Sequence, residues 1–267
     1  EAERLGFESL FLVEHHFTGM GQLSASLNFL CYLAARTSRM RLGTAVTVLP
    51  WHNPVLLVEQ AATLDLLSNG RFDFGIGRGY RHVEFNGFQI AIEEAEERYQ
   101  EALAFIRRAW GTEGRFSHHG KYWHFEDVVV EPAPVQRPHP PFWVGVGSDQ
   151  SIQAAARQGF NILLPQHGSP AEIGRKVKVF RDAMEAEGRP VKPHSIGVTR
   201  ALHVVRNARE RDEAHELRNK FLKGVRDLSF SKAPGASNTN FLKAYSSPED
   251  IRRETETDAL IGDPDEI

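Results

Sequence analysis

Ser9-Leu-Phe-Leu-Val13 runs directly into Glu14-His15-His16-Phe17. The first stretch is a short, nearly continuous apolar run of strand length, as expected for a strand buried on both faces. Glu14 breaks it. Where parallel strands alternate with helices, chemistry gathers at the carboxyl ends of the strands. A carboxylate and two histidines therefore stand where such a fold places its site. A histidine there can give or take a proton near neutral pH. Neighbouring residues in extended chain point to opposite sides, so the His pair is a poor metal chelate, and no metal is expected.

The same alternation continues outward. Helical spacing covers 22–37, and Met40–Leu49 is a strand rich in Val and Thr. A helix starts at Pro54, where the missing N–H costs nothing, and runs to Leu67, closed by Asn69-Gly70. Phe72–Ile76 is a strand and Ile92–Trp110 an amphipathic helix. Residues 111–141 form an inserted excursion, with β-like pieces at 122–125 and 128–130 and a proline-rich end. His118-His119 within it reads as a solvated loop pair. Strands at 142–146, 160–164 and 196–205 then alternate with helices at 151–158, 170–187 and 210–226. The polar segment 229–245 reads as a lid loop or disordered chain. The pattern gives an α/β class with one domain over 1–267. Periodicity alone leaves both a (β/α) barrel and a doubly wound sheet open.

Composition narrows the partners. The chain has 267 residues, 41% hydrophobic and 25% charged, with net charge −3 and one cysteine. No basic field points to nucleic acid or an anionic membrane, and no apolar run is long enough for a membrane span. One thiol makes no internal disulfide, which suits a reducing cytosol and a cytoplasmic protein.

Two further segments can hold an anion. In Phe74-Gly75-Ile-Gly77-Arg78-Gly79 the glycines open the backbone and Arg78 offers a fork of donors. Its third glycine is one place early for a dinucleotide fingerprint, so a tight turn explains the segment as well. In Val144-Gly145-Val-Gly147-Ser148-Asp-Gln-Ser151 a strand runs into a helix whose free N–H groups suit phosphate. Simple capping by Ser148 accounts for it equally.

Taken together, the motifs resemble the bacterial-luciferase-like, flavin-dependent monooxygenases. The carrying stretches are Glu14-His-His-Phe17, 41–50, His52-Asn-Pro54, 59–65, 70–79 and Pro141-Phe-Trp-Val-Gly-Val-Gly-Ser148. The resemblance implies a (β/α)8 TIM barrel that binds FMN non-covalently. It implies that reduced FMN and dioxygen form a C4a-peroxyflavin that oxidises a small organic substrate. An NAD(P)H-dependent flavin reductase would supply the reduced FMN. His15 inherits the acid/base role, and His16 and Glu14 line the substrate pocket. Ala45–Val46 matches a non-prolyl cis peptide beneath the flavin. Arg78 together with Gly147, Ser148 and Ser151 matches the phosphate contacts, and Glu84 an acid near the flavin.

The chain departs from the pattern at Glu96, where a second phosphate arginine is expected; Arg98 lies two places on. Gly77 replaces the reactive cysteine of luciferase, so nothing suggests light emission. An F420-dependent oxidoreductase of the same fold and a non-catalytic flavin-binding subunit are the alternatives, and His15 argues against the second.

The resemblance also implies a homodimer through helices 22–37 and 54–67, where Leu56, Leu57, Ala61, Leu64 and Leu67 make a broad apolar set. Residues 1–6 read as the last turn of a helix stopped by Gly6, and 261–267 as a helix cap and first turn. The expectation from these ends is a barrel truncated at both, lacking its first and last strands.

Overall fold

A computed structural model describes residues 1–230 and 247–267. The chain separates into two compact units, residues 1–80 with 84–144, and residues 81–83 with 145–267. The polar segment 229–245 lies, from residue 231 on, outside the described residues.

In the first unit, β1 (Ser9–Leu12), α1 (Ser26–Ala34), β2 (Arg41–Thr44), β3 (Thr47–Val48), α2 (Pro54–Leu67) and β4 (Phe72–Gly77) follow in order. Then come the short α3 (His82–Gly87), α4 (Ala95–Gly111), the β5 (Phe116–His119) and β6 (His124–Val128) pair, and β7 (Phe142–Gly145). β1 pairs parallel with β2, β2 and β3 with β4, and β4 with β7. All carboxyl ends therefore point the same way, and Glu14, Ala45 and Arg78 each follow the end of one of these strands. The expected strand 40–49 is two strands, divided by a cis bond between Ala45 and Val46. Phe72, Phe74 and Ile76 of β4 are fully buried, as are Leu57, Ala61 and Leu64 on α2. Strands covered on both faces by helices need this continuous apolar character.

α2 has the predicted bounds for local reasons. The Asn53 side chain accepts hydrogen bonds from the Val55 and Leu56 amides, and Pro54 occupies the first turn. The predicted dimer set divides on α2. Leu57, Ala61 and Leu64 belong to the core, while Leu56 and Leu67 are exposed together with Leu66 and with Phe29 and Tyr32 of α1.

The excursion is an antiparallel hairpin anchored at both ends. Glu101 on α4 accepts the amides of Lys121, Tyr122 and Trp123. Gln136 bonds Asp65 of α2 through its amide (2.9 Å) and its side chain (2.7 Å). His118 corrects the reading of a solvated loop pair. It lies in β5, packs edge-on against Phe105 and is half-buried, while His119 is exposed. Alternating sides of a strand separate the two.

In the second unit, α5 (Asp149–Gln158), β8 (Asn161–Leu164), α6 (Pro170–Ala186), β9 (Ile196–Val198), β10 (Leu202–Val204), α7 (Ala208–Phe230), α8 (Pro248–Thr257) and β11 (Leu260–Gly262) follow. Two expectations are corrected here. The strand at 196–205 is two strands, β9 paired with β8 and β10 paired with β11. Leu260–Gly262 is a parallel strand rather than the start of a helix. The Asp263 side chain turns the chain after it by accepting the Asp265 and Glu266 amides.

Arg71 is the most heavily bonded side chain of the first unit's sheet entrance. Its guanidinium donates to the carbonyls of Ser68, Met40, Ala34 and Thr37 and to Thr37 Oγ1. It thereby ties the end of α1 and the start of β2 to the start of β4. Arg71→Leu leaves those acceptors without their donor, and a loss of about 3 kcal/mol of unfolding free energy is expected. Urea denaturation of the variant beside the parent checks it.

Candidate active site

The end of β1 delivers Glu14 into the interior, where it is 3% exposed. Burying a carboxylate is costly unless donors surround it. Here Oε2 accepts the Val48 amide at 2.8 Å, and Oε1 accepts Nε2–H of His52 at 2.7 Å and of His16 at 3.0 Å. Burial pushes the Glu14 carboxyl upward, but the hydrogen bond and charge of His52 and the Val48 amide outweigh it. The net result lies below the ordinary carboxylate value of 4.5. One side chain thus joins the end of β1 to β3 and to the residue that leads into α2.

His15 faces a second buried carboxylate. Glu84 on α3 is 1% exposed, and its Oε1 accepts both Nδ1–H of His15 and the His16 amide, each at 2.9 Å. With Nδ1 donating, the neutral ring carries its lone pair on Nε2. Among the described residues Nε2 of His15 has no hydrogen-bond partner, and the side chain stays 16% exposed. So held, with its tautomer set from behind, the ring is able to take a proton at Nε2.

Aromatic rings fix His16. It meets Phe88 at 4.8 Å and Trp51 at 5.6 Å, both edge-on, and Trp51 stacks on Phe88 at 5.2 Å. Phe17 closes the cluster in a left-handed conformation, φ 56°, and packs against Gly87. A side chain at Gly87 would meet the Phe17 ring at 2.3 Å. His52, Trp51 and Phe88 were not singled out as site residues from sequence. His52 sits inside a quoted motif, His52-Asn-Pro54, which was the available signal.

The glycines of β4 answer to packing. A Cβ on Gly75 would lie 1.6 Å from the Thr44 carbonyl oxygen, and one on Gly77 2.4 Å from the Val46 side chain. β4 thus lies close beneath the segment that holds the cis bond. Arg78, just beyond, is half exposed and pairs with Glu96 at 3.3 Å. Arg98 does not stand in as a second phosphate arginine. It is bonded to Glu94 at 2.8 Å and lies over the Tyr122 ring at 4.3 Å.

In the second unit, Ser148 caps α5. Its Oγ accepts the Ser151 amide at 3.2 Å, while Ser151 Oγ accepts the amides of Gly147 and Ser148 at 3.2 and 3.1 Å. The capping reading is therefore realised, and the segment stays exposed. A Cβ on Gly147 would meet nothing within 4 Å, so the backbone there is open to an incoming group. Among the described residues no cluster of His, Cys, Asp or Glu could hold a metal ion, and no helix is long and apolar enough to cross a membrane.

The luciferase-like monooxygenase family profile matches residues 1–267. The chain is 31% identical over 187 residues to the oxygenase component of a flavin-dependent trigonelline monooxygenase of Acinetobacter baylyi, covering 69% of this chain and 51% of that one. It is 32% identical over 218 residues to an FMNH2-dependent dimethylsulfone monooxygenase of Pseudomonas putida, covering 80% and 58%. It spans about half the length of these curated relatives. Among solved structures, a monooxygenase from Streptomyces bottropensis superposes with TM-score 0.72 at 28% identity, covering 98% of this chain and 82% of that one. An F420-dependent secondary alcohol dehydrogenase superposes with TM-score 0.76 at 16% identity, covering 99% and 80%. The α/β fold is that of the luciferase-like barrels.

The lowered Glu14 value has a consequence for stability. A carboxyl whose folded value lies below its unfolded value stabilises the protein above the unfolded value, and that contribution fades as pH falls through the folded one. Glu14→Gln is expected to cost about 2 kcal/mol at pH 7. The gap between parent and variant should narrow as pH drops below 4.5, as read by denaturant unfolding at several pH values.

Proposed function

The chain belongs to the luciferase-like monooxygenase family, and we propose from that premise that it oxidises a small organic substrate with reduced FMN and dioxygen. The observation that carries the reading is His15, held through Nδ1 by buried Glu84 with Nε2 left open. His15 would hold or move a proton at Nε2 of the substrate-facing side. Glu84 acts through it as a positioning residue. Glu14 and His16 would wall the substrate pocket, with Trp51 and Phe88 keeping water from the His16 side. The Ala45–Val46 segment would support the flavin ring.

The residues fit a phosphate-bearing flavin at the head of α5, where the Gly147 backbone is open and the Ser148 and Ser151 hydroxyls, bonded within their own loop, would turn to the ligand. Gly147, Ser148 and Ser151 would hold the phosphate there, and in the first unit Arg78 would offer its guanidinium to an anion. Bound reduced FMN supplies, with dioxygen, the oxygen-transfer chemistry. A separate NAD(P)H-dependent flavin reductase would provide it, as the description of one relative as an oxygenase component suggests. The exposed Phe29, Tyr32, Leu56 and Leu67 support a homodimer through α1 and α2, and a cytoplasmic setting suits the single cysteine. The competing reading, hydride transfer with F420, shares the fold but not the 31% and 32% identities to flavin and FMN enzymes.

His15→Ala should retain flavin binding and lose about 10²–10⁴-fold in product formation. Product must be measured directly, because uncoupled flavin oxidation looks the same as turnover. A variant within a few-fold of the parent removes His15 from the chemistry.

Arg78→Ala should weaken FMN by about 10- to 100-fold, the loss of a charge-assisted hydrogen bond, and leave riboflavin unchanged. Titration of flavin fluorescence measures both ligands. Equal weakening places Arg78 away from the phosphate.

A further inference from the structure

The second unit contains a cavity of about 700 Å³. Its rim is made by the heads of two helices, Gly147–Asp149 at α5 and Gly168–Ser169 at α6, with α8 opposite. Helix heads carry free N–H groups and the positive end of the dipole. On their own they do not make a site. Lys176, two turns into α6, lines the same cavity and is only 6% exposed. Among the described residues it forms no hydrogen bond and no ion pair.

A lysine this deeply buried usually meets a counter-charge, since drawing its charge away from water must be offset. The carboxylates around the cavity are already committed. Asp149 pairs with Arg175 at 2.8 Å, Asp250 with Arg253 at 2.7 Å, and Glu254 with Arg218. Asp258 accepts the Gly168 amide at 2.7 Å. Glu172 stands one turn before Lys176 on α6, at a spacing that permits pairing, and no pair forms. The ammonium acts on residues on both sides of the cavity. Burial foremost, then the Lys176 charge, push the His167 imidazole below its ordinary value against Asp258 and Glu172, with Arg200 adding to the push. Lys176 also helps to lower the Asp149 carboxyl, after its bond to Arg175. The loop between is rigidly set, because Arg200 donates to the Gln166 and Gly168 carbonyls.

We propose that this cavity is a phosphate site and that Lys176 is its cation. The anion takes the place of the missing counter-charge, with the backbone donors at the helix heads completing its shell. A phosphomonoester fits, whether the tail of FMN or free phosphate. The first of these rests on the reading of Gly147–Ser151 as the flavin phosphate loop.

The test uses the intact protein, with inorganic phosphate, FMN and riboflavin as probes. Phosphate should raise the melting temperature of the parent. Lys176→Met should weaken phosphate at least about tenfold, and Lys176→Arg should keep affinity within a few-fold. Lys176→Gln serves if the methionine variant does not fold. Equal phosphate affinity in parent and neutral variants, or no phosphate effect on the parent, overturns the proposal. If phosphate and FMN both weaken while riboflavin holds, the anion is the flavin's own phosphate. If phosphate weakens and FMN does not, Lys176 still stands as the cation, and the flavin phosphate loop at Gly147–Ser151 falls instead.

Discussion

The Glu14 carboxylate is the constraint on which the site depends. At 3% exposure it cannot be solvated by water, so its position is fixed by donors from three places in the chain. The Val48 amide, His52 and His16 each supply one. A partly satisfied network would cost more than an apolar one. The loop after β1, the segment after the cis bond and the turn before α2 therefore take up one arrangement together. The aromatic cluster of Phe17, Trp51 and Phe88 then packs around His16, already tethered through Nε2. Glu84 repeats the device on the neighbouring residue, and among the described residues it leaves Nε2 of His15 uncommitted.

Backbone proximity is the second constraint. Parallel β2 and β4 lie so close around Thr44 that Thr44 Oγ1 donates to the Gly75 carbonyl at 2.6 Å. No side chain fits at Gly75 or Gly77. The glycine-rich run therefore has a complete explanation in packing, and needs no phosphate to account for it. Its contribution to ligand binding is limited to what Arg78 adds beyond the strand.

Much of this was legible in the sequence where one short segment carries the whole signal. α2 is set by Asn53, Pro54 and its own spacing, and its bounds were readable to the residue. Glu14, His15 and His16 were readable because a strand end and its polar residues are contiguous. The partnership of His15 with Glu84 spans 69 positions, and only family resemblance pointed to that carboxylate. His52 donates across 38 positions and gave no local sign of its partner. β11 was missed, and β10 was merged with β9, because each is three residues long and mostly exposed. Such strands exist through their mutual pairing and lack the apolar run that announces a buried one. The reading of His118 failed for a related reason. A histidine in a two-stranded ribbon is buried by what lies beneath, here Phe105 and Glu101 on α4.

The departure at Glu96 can be weighed by magnitude. Arg78 and Glu96 are 47% and 57% exposed, and their contact is long at 3.3 Å. Pairs of this kind contribute about 0–1 kcal/mol, since water and salt screen them. A charge-assisted hydrogen bond to a phosphate contributes about 1.5–3 kcal/mol. A phosphate brought to Arg78 would therefore displace Glu96, and the acid would lower its affinity without excluding it. Glu96 would not swing clear without loss, because Gln100 also donates to it at 2.9 Å. Its negative charge stays near the guanidinium whichever ligand arrives. That residual repulsion would fall most heavily on a dianion, so the acid would weigh more against a phosphomonoester than against a monoanion.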